Sequence, residues 1–172
     1  NAKLYFNREL TISDLVFLVG PRINAAGRME SGGKAVELLK SNSREEVEKI
    51  AAEINQNNEA RKDLDKKATE EAKKMLTSCA DLTSKKTTVV YGKDWHKGVI
   101  GIVASRLIEK YYKPTIVFTK SNDLITGSAR SVKDFDIYAA IESCSHLLTH
   151  FGGHKFAAGL SLEEKNLEEF MR

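Results

Sequence analysis

Thr87-Thr-Val-Val-Tyr91, Val99-Ile-Gly-Ile-Val-Ala-Ser-Arg-Leu-Ile-Glu-Lys-Tyr111 and Pro114-Thr-Ile-Val-Phe-Thr119 follow one another in the second half of the chain. The first and last are short runs rich in β-branched and aromatic residues, the composition of strands. Between them Ile100, Val103, Ala104, Leu107 and Ile108 recur at three- and four-residue steps, which places them on one face of a helix. Strand, helix, strand is the repeating unit of α/β folds. Downstream, Leu124 to Ala129 reads as a third strand, and Asp136 can cap a helix reaching about Leu148. Phe151-Gly-Gly-His154 reads as a glycine-rich corner, Ala157 to Leu162 as a strand, and Asn166 as the start of a last helix. The expected fold class is α/β: a small mixed sheet with helices packed on it, beginning near residue 84.

Upstream the pattern changes. Ser43-x-x-Glu46 is a capping-box signature. No Gly or Pro interrupts residues 44 to 78, and Val47, Ile50, Ile54, Asn58, Arg61, Leu64, Ala68, Ala72 and Leu76 recur at helical spacing. This predicts one long helix of roughly 50 Å at ~1.5 Å per residue. Its centre, Asn55-Gln-Asn-Asn-Glu59, is polar even on the packing stripe, as in helices that join two bodies. Lys34 to Lys40 predicts a short helix, and residues 22 to 33, rich in Gly, Asn and Arg, an irregular loop. Leu10 to Val19 predicts an apolar helix starting at Ser13-Asp14 and stopped by the breaker Gly20-Pro21. The expected division is 1–83, the end of a preceding domain plus the connecting helix, and 84–172, the α/β domain.

The chain has 172 residues, 41% of them hydrophobic, and a net charge of +3. That permits a nucleic-acid partner without arguing for one. No apolar run approaches the ~18 residues of a membrane span. The first residues, Asn1-Ala-Lys-Leu4, lack Met and the layout of a signal peptide, which reads as a fragment of a longer protein. Cys79 and Cys144 form no disulfide framework, so a reducing cytoplasm is the expected compartment.

Four segments carry groups suited to chemistry. In Gly20-Pro-Arg22-Ile-Asn24-Ala-Ala-Gly-Arg28, two arginines flank an asparagine between glycines. Guanidinium forks match phosphate oxygens, and glycine lets a backbone come close to a ligand. A helix-connecting loop with solvated arginines explains the same letters. Trp95-His96-Lys97-Gly98 opens a helix, where N–H groups favour anions. Equally, His96 or Asp94 can cap the helix while Gly101 lets it pack tightly on the sheet. In Gly127-Ser128-Ala-Arg130-Ser131, strand alternation puts Ser128 and Arg130 on one side, a hydroxyl beside a guanidinium. The plainer reading is an edge-strand arginine in water. In Phe151-Gly152-Gly153-His154, the glycines free the backbone to approach a ligand and the imidazole adds a donor or acceptor. A helix C-cap followed by a surface histidine is the alternative.

Two rivals are weaker. His150 and His154, with Cys144 and Cys79, have a zinc-like spacing, but two glycines lie between the histidines and no C-x-x-C accompanies them. Gly27 to Lys34 lacks the spacing, the Ser or Thr and the preceding strand of a P-loop. The acids lie mostly on the long helix and in Glu163-Glu164 and Glu168-Glu169, which read as solvated faces. No D-x-D or D-H-H string occurs, so no metal ligands are expected in this chain.

Taken in order, the segments resemble a known family. Gly20-Pro-Arg-Ile-Asn-Ala-Ala-Gly-Arg-Met29, Ala35-Val-Glu-Leu-Leu39 and Asn58-x-x-Arg61 are similar to the region joining the core domains of the RecJ family, single-strand-specific DNA exonucleases of the DHH phosphoesterase superfamily. Trp95-His-x-Gly-Val-Ile-Gly-Ile-Val-Ala-Ser-Arg106, Tyr112-Lys-Pro114, Gly127-Ser-Ala-Arg-Ser131 and Phe151-Gly-Gly-His-x-x-Ala-Ala-Gly159 resemble its DHH-associated domain. The resemblance implies 5′-to-3′ hydrolysis of single-stranded DNA in repair and recombination. It also implies Mn²⁺ or Mg²⁺ held by a preceding DHH domain that this chain does not include, so the chain alone is expected to be inactive. His154 becomes the candidate catalytic residue, beside the scissile phosphate. Arg22, Asn24, Arg28, His96, Arg106, Ser128 and Arg130 become candidate substrate contacts. Gly152 and Gly153 would let the strand approach, and Asn58 and Arg61 would line its entrance. Arg106 could instead simply pair with an acid. The other classes in view are a DHH-type phosphoesterase of small oligonucleotides or cyclic dinucleotides, and a non-catalytic oligomerisation module.

Overall fold

A computed structural model describes Glu9 and residues 11–29, 32–78 and 84–172. Two compact units divide the chain, Asn1–Lys62 and Asp63–Arg172.

The first unit is helical. Helix α1 (Ile12–Asp14) starts one residue before the expected Ser13, because Thr11 makes the cap. The Asp14 amide donates to the Thr11 hydroxyl, and the Thr11 amide donates to the Asp14 carboxylate at 2.9 Å. The expected stop at Gly20-Pro21 does not occur. A π-helical turn, Leu15–Val19, leads directly into helix α2 (Gly20–Met29). A wider turn solves the problem that proline poses inside a helix, where its ring meets the carbonyl four residues back and its amide donor is missing. Residues 22 to 29 are therefore helix and not loop; the Ala25-Ala26 pair, fully buried, supplies the propensity that glycine counts conceal. Helix α3 (Gly33–Lys40) follows. Ala26, Ala35, Ile50 and Ile54 form this unit's core, with Ile23 and Leu38 against it.

Helix α4 (Arg44–Thr77) is the expected long helix. Its cap is a relay. Ser43 accepts from the Glu46 amide, but the Glu46 carboxylate accepts from the Ser41 hydroxyl at 2.6 Å, and that hydroxyl in turn accepts from the Ser43 amide. Residues from Asp63 onward belong to the second unit, where Ala68, Ala72 and Leu76 enter its core.

The second unit contains β1 (Thr88–Tyr91), α5 (Ile100–Tyr111), β2 (Thr115–Ser121), β3 (Leu124–Arg130), α6 (Ile137–Ser143), β4 (His150–His154), β5 (Ala157–Leu162) and α7 (Leu167–Phe170). The strands lie in the order β1-β2-β3-β5-β4. Only β1 and β2 are parallel, joined through α5; the other pairings are antiparallel. Asp136 caps α6 through the Ala139 amide at 3.0 Å, but α6 ends at Ser143 and a 3₁₀ turn replaces its expected last stretch. The glycine-rich corner is itself a strand, β4, so no helix C-cap forms there.

Each sheet face has its own core. On one, Val90 and Val117 meet Val99, Val103, Ala104 and Leu107 of the α5 region together with α4. On the other, Ile116, Phe118, Ile125, Ala129, Leu160 and Leu162 meet Ile137 and Ile141 of α6, with Leu167 and Phe170 of α7 packed alongside. Phe118 is fully buried and stacks edge-on against Phe170 at 5.4 Å. Gly127 lies opposite it on β3, where an added Cβ would come within 2.5 Å of the ring.

Trp95 anchors α4 to the sheet unit: its indole N–H donates to Glu71 at 2.7 Å, and its carbonyl accepts from the Thr119 hydroxyl. Gly92 makes this possible, because a Cβ there would lie 2.2 Å from the indole. Gly92→Ala is expected to lower stability by about 1–3 kcal/mol through forced displacement of the ring. Urea denaturation would measure it, and an unchanged midpoint would contradict this packing.

Candidate functional site

The open part of the sheet gathers the polar groups. In β3, Ile125, Gly127 and Ala129 face the α6 core, so Thr126, Ser128 and Arg130 face the other way. Register carries that face outward across two more strands. Arg130 pairs with Ala157, which pairs with His154; Ser128 pairs with Gly159, which pairs with Gly152; Thr126 pairs with Ser161, which pairs with His150. Directly opposed residues share a face, so these nine positions form three rows of one platform. Helix α5 packs on β2 and β3. A side chain at Gly152 or Gly159 would meet nothing within 4 Å. The floor is glycine, and a shallow groove of about 310 Å³ runs over it past Thr126, His150 and Ser161.

The end row is the most charged. Arg130 donates to the Ser128 hydroxyl at 3.1 Å and to the Ala129 carbonyl at 2.7 Å, so the guanidinium is held and oriented. The expected pairing of Ser128 and Arg130 on one side is present. Gly101 in the first turn of α5 closes the arrangement: a Cβ there would lie 2.9 Å from Arg130 Nη2 and 3.0 Å from Ser128 Oγ. The sequence segments 95–101 and 127–131, read separately, thus meet at one point. Across Ala157, two strand spacings or roughly 10 Å away, His154 is exposed. Its Nδ1 accepts from the Phe156 amide at 3.2 Å, which leaves Nε2 to carry the proton of the neutral ring. A guanidinium, a hydroxyl and an imidazole N–H over a bare backbone floor make a surface for a chain of anions.

The remaining candidates are placed elsewhere. Gly153 belongs to the hairpin: its φ is +150°, and a Cβ would lie 2.3 Å from the Ala157 carbonyl. Strand pairing therefore requires glycine here, whatever binds. His96 Nδ1 accepts from the Gly98 amide at 3.1 Å, shaping the turn before α5. Arg106 donates to Asp65 at 2.6 Å; Asp65 is 1% exposed, and this ion pair ties α5 to α4. In the first unit, helix α2 separates what a loop was expected to gather. Arg22 donates to Asn55 at 2.8 Å and to the Leu18 carbonyl, while Asn24 and Arg28 lie on an exposed face. Asn58 is buried and accepts from Arg61 at 3.1 Å.

Sequence reasoning missed His150, Thr126, Ser161 and Gly159 as platform positions. The signal was present as period-two alternation, but only if residues 150–154 are read as a strand. His150 and His154 do share a face, yet four strand residues put them about 13 Å apart. That excludes the zinc-like reading for this pair, and Cys79 lies outside the described residues. Among the described residues no group of three or more His, Cys, Asp or Glu could hold a metal ion, so the residues here do not fit a catalytic metal centre. No described helix is long and apolar enough to cross a membrane. At the far end of β2, Lys120 and Glu164 pair at 2.7 Å, and the ammonium holds the Glu164 carboxyl below the usual range. Burial raises the Tyr91 phenol.

The mixed sheet that carries this Arg–Ser–Gly–His platform is the part of the chain, residues 84–172, that the DHHA1 domain family matches. The chain belongs to that family. It is 38% identical to the single-stranded-DNA-specific exonuclease RecJ of Bacillus subtilis over 156 residues, 89% of this chain and 20% of that protein. It superposes on the crystal structure of Thermus thermophilus RecJ in complex with Mg²⁺ with a TM-score of 0.81 and 31% identity, covering 92% of this chain and 24% of the other. The Mn²⁺ complex of the same protein gives 0.80 and 32%, over 92% and 23%. The chain thus spans about a quarter of the length of these relatives.

Two outcomes follow from the geometry. Gly101→Ala should dislodge the Arg130 guanidinium from Ser128 while changing stability by no more than about 1 kcal/mol, because alanine suits a helix better than glycine; a crystal structure of the variant with Arg130 unmoved would contradict this. Arg106→Ala should instead cost about 1–3 kcal/mol by leaving buried Asp65 without its charged donor, measured by thermal or urea unfolding.

Proposed function

We propose that this chain is the substrate-binding part of a RecJ-like exonuclease that degrades single-stranded DNA from 5′ to 3′ in cytoplasmic DNA repair and recombination. The observation that carries the reading is the row of Arg130, Ser128 and His154 beside a floor of Gly152 and Gly159. Arg130 contacts a phosphate through its fork, and Ser128 keeps that fork in place. His154 donates from Nε2 to an oxygen of the phosphate at the reacting end, while the bare floor lets the backbone of one strand lie flat. The groove is open, which suits a chain better than a closed mononucleotide. The metals, Mn²⁺ or Mg²⁺, belong to a DHH domain preceding this region, and residues 84–172 act as the domain that presents substrate to it. Without those metals the chain on its own cleaves nothing.

Titration of the chain with oligodeoxythymidylate at several salt concentrations tests this. Affinity should fall as salt rises, with a log–log slope of about 0.7 per phosphate neutralised. Arg130→Ala should remove about 0.7 from that slope and weaken binding by roughly 1.5–3 kcal/mol. An unchanged slope removes Arg130 from the phosphate track. Metal-dependent cleavage by a clean preparation of the chain would sink the division of labour. A tight dimer with no affinity for DNA would favour an oligomerisation module instead.

A further inference from the structure

Phe156 is 52% exposed and belongs to neither core of the sheet unit. Phe118, Phe151 and Phe170, by contrast, all take part in the α6 core. Phe156 sits with Lys155 in the two-residue turn between β4 and β5, immediately beyond the pair His154–Ala157. The turn is not loose. The Phe156 carbonyl accepts from the Ser131 amide at 2.9 Å, the Lys155 carbonyl accepts from the Ile137 amide at 3.2 Å, and the Phe156 amide is bound to His154. Two backbone–backbone bonds and one from the Phe156 amide to the His154 ring therefore hold the turn that carries this exposed aromatic side chain at the end of the row with Arg130 and His154. The His154 imidazole and the Phe156 ring form a T-shaped pair at 6.1 Å and 71°. The Lys155 ammonium lies 4.7 Å over the ring, and the half-exposed side chain keeps the rest of its surface in water.

Resting on the phosphate-track reading above, we propose that Phe156 is a stacking residue for a nucleobase: the base of the nucleotide whose phosphate lies at the Arg130–His154 row. Every base offers a π-face, so such a contact is tolerant of sequence and adds affinity that phosphate neutralisation cannot. Lys155 lies over the ring and stays within reach of the neighbouring phosphate, combining cation–π and ionic attraction in one turn. A strand gripped in this way has its backbone on the glycine floor and a base turned outward over the hairpin.

The test compares the wild-type chain with Phe156→Leu, Phe156→Tyr and Arg130→Ala, using an oligodeoxynucleotide and an abasic oligomer of the same length. Phe156→Leu should weaken the normal oligonucleotide roughly tenfold, within the range of one lost aromatic–base stack, with the salt slope unchanged. Phe156→Tyr should restore affinity. Equal binding of the abasic oligomer by wild type and Phe156→Leu would show that the variant is folded and that the loss concerns the base. A Phe156→Leu variant that binds the normal oligonucleotide as wild type does, while Arg130→Ala loses affinity and slope, overturns the stacking role alone. If Arg130→Ala also has no effect, the phosphate track itself is wrong and the stacking proposal falls with it.

Discussion

The alternation of β3 is the constraint on which the rest of the second unit depends. Its odd positions, Ile125, Gly127 and Ala129, close the core under α6, and its even positions, Thr126, Ser128 and Arg130, are thereby forced to the opposite face. A slip of one residue would bury the guanidinium and expose the core. The same register is handed on to β5 and β4, so the distance between Arg130 and His154 is set by two strand spacings and not by loop conformation. Precision in the platform is thus a by-product of keeping Phe118 and its neighbours dry.

The platform is open because the two sheet faces are served by helices of different reach. The α5 region and α4 make one core, and α6 and α7 make the other with residues of β2, β3 and β5. Where α5 meets β3, Gly101 lets the helix approach closely enough to brace Arg130 without displacing it. The glycines are therefore not interchangeable. Gly92 and Gly127 make room for rings, Gly153 satisfies a hairpin, Gly101 positions an arginine, and Gly152 and Gly159 keep a surface bare.

Much of this was legible in the sequence because it is local. The β1–α5–β2 unit, the uninterrupted α4, the Asp136 cap and the shared side of Ser128 and Arg130 all follow from spacing and side-chain chemistry within a few residues. What was not legible depends on partners far along the chain. Phe151-Gly-Gly-His154 has the composition of a turn and becomes a strand only because β5 pairs with it. Gly20-Pro21 has the letters of a breaker, and a π-helical turn carries the helix through it. Arg106 reads as a substrate contact or as the partner of an acid, and the acid it pairs with, Asp65, lies 41 residues away. An arginine's local sequence does not say which distant acid it will meet.

Trp95 is the only tryptophan of the chain. Its indole is buried between the Gly92 turn and α4, with its one polar atom bound to Glu71. The second half of α4 cannot leave the sheet unit without breaking that bond and wetting the ring. The emission of this one tryptophan therefore reports whether the second half of α4 is seated on the sheet, and the fold carries its own optical gauge of that attachment.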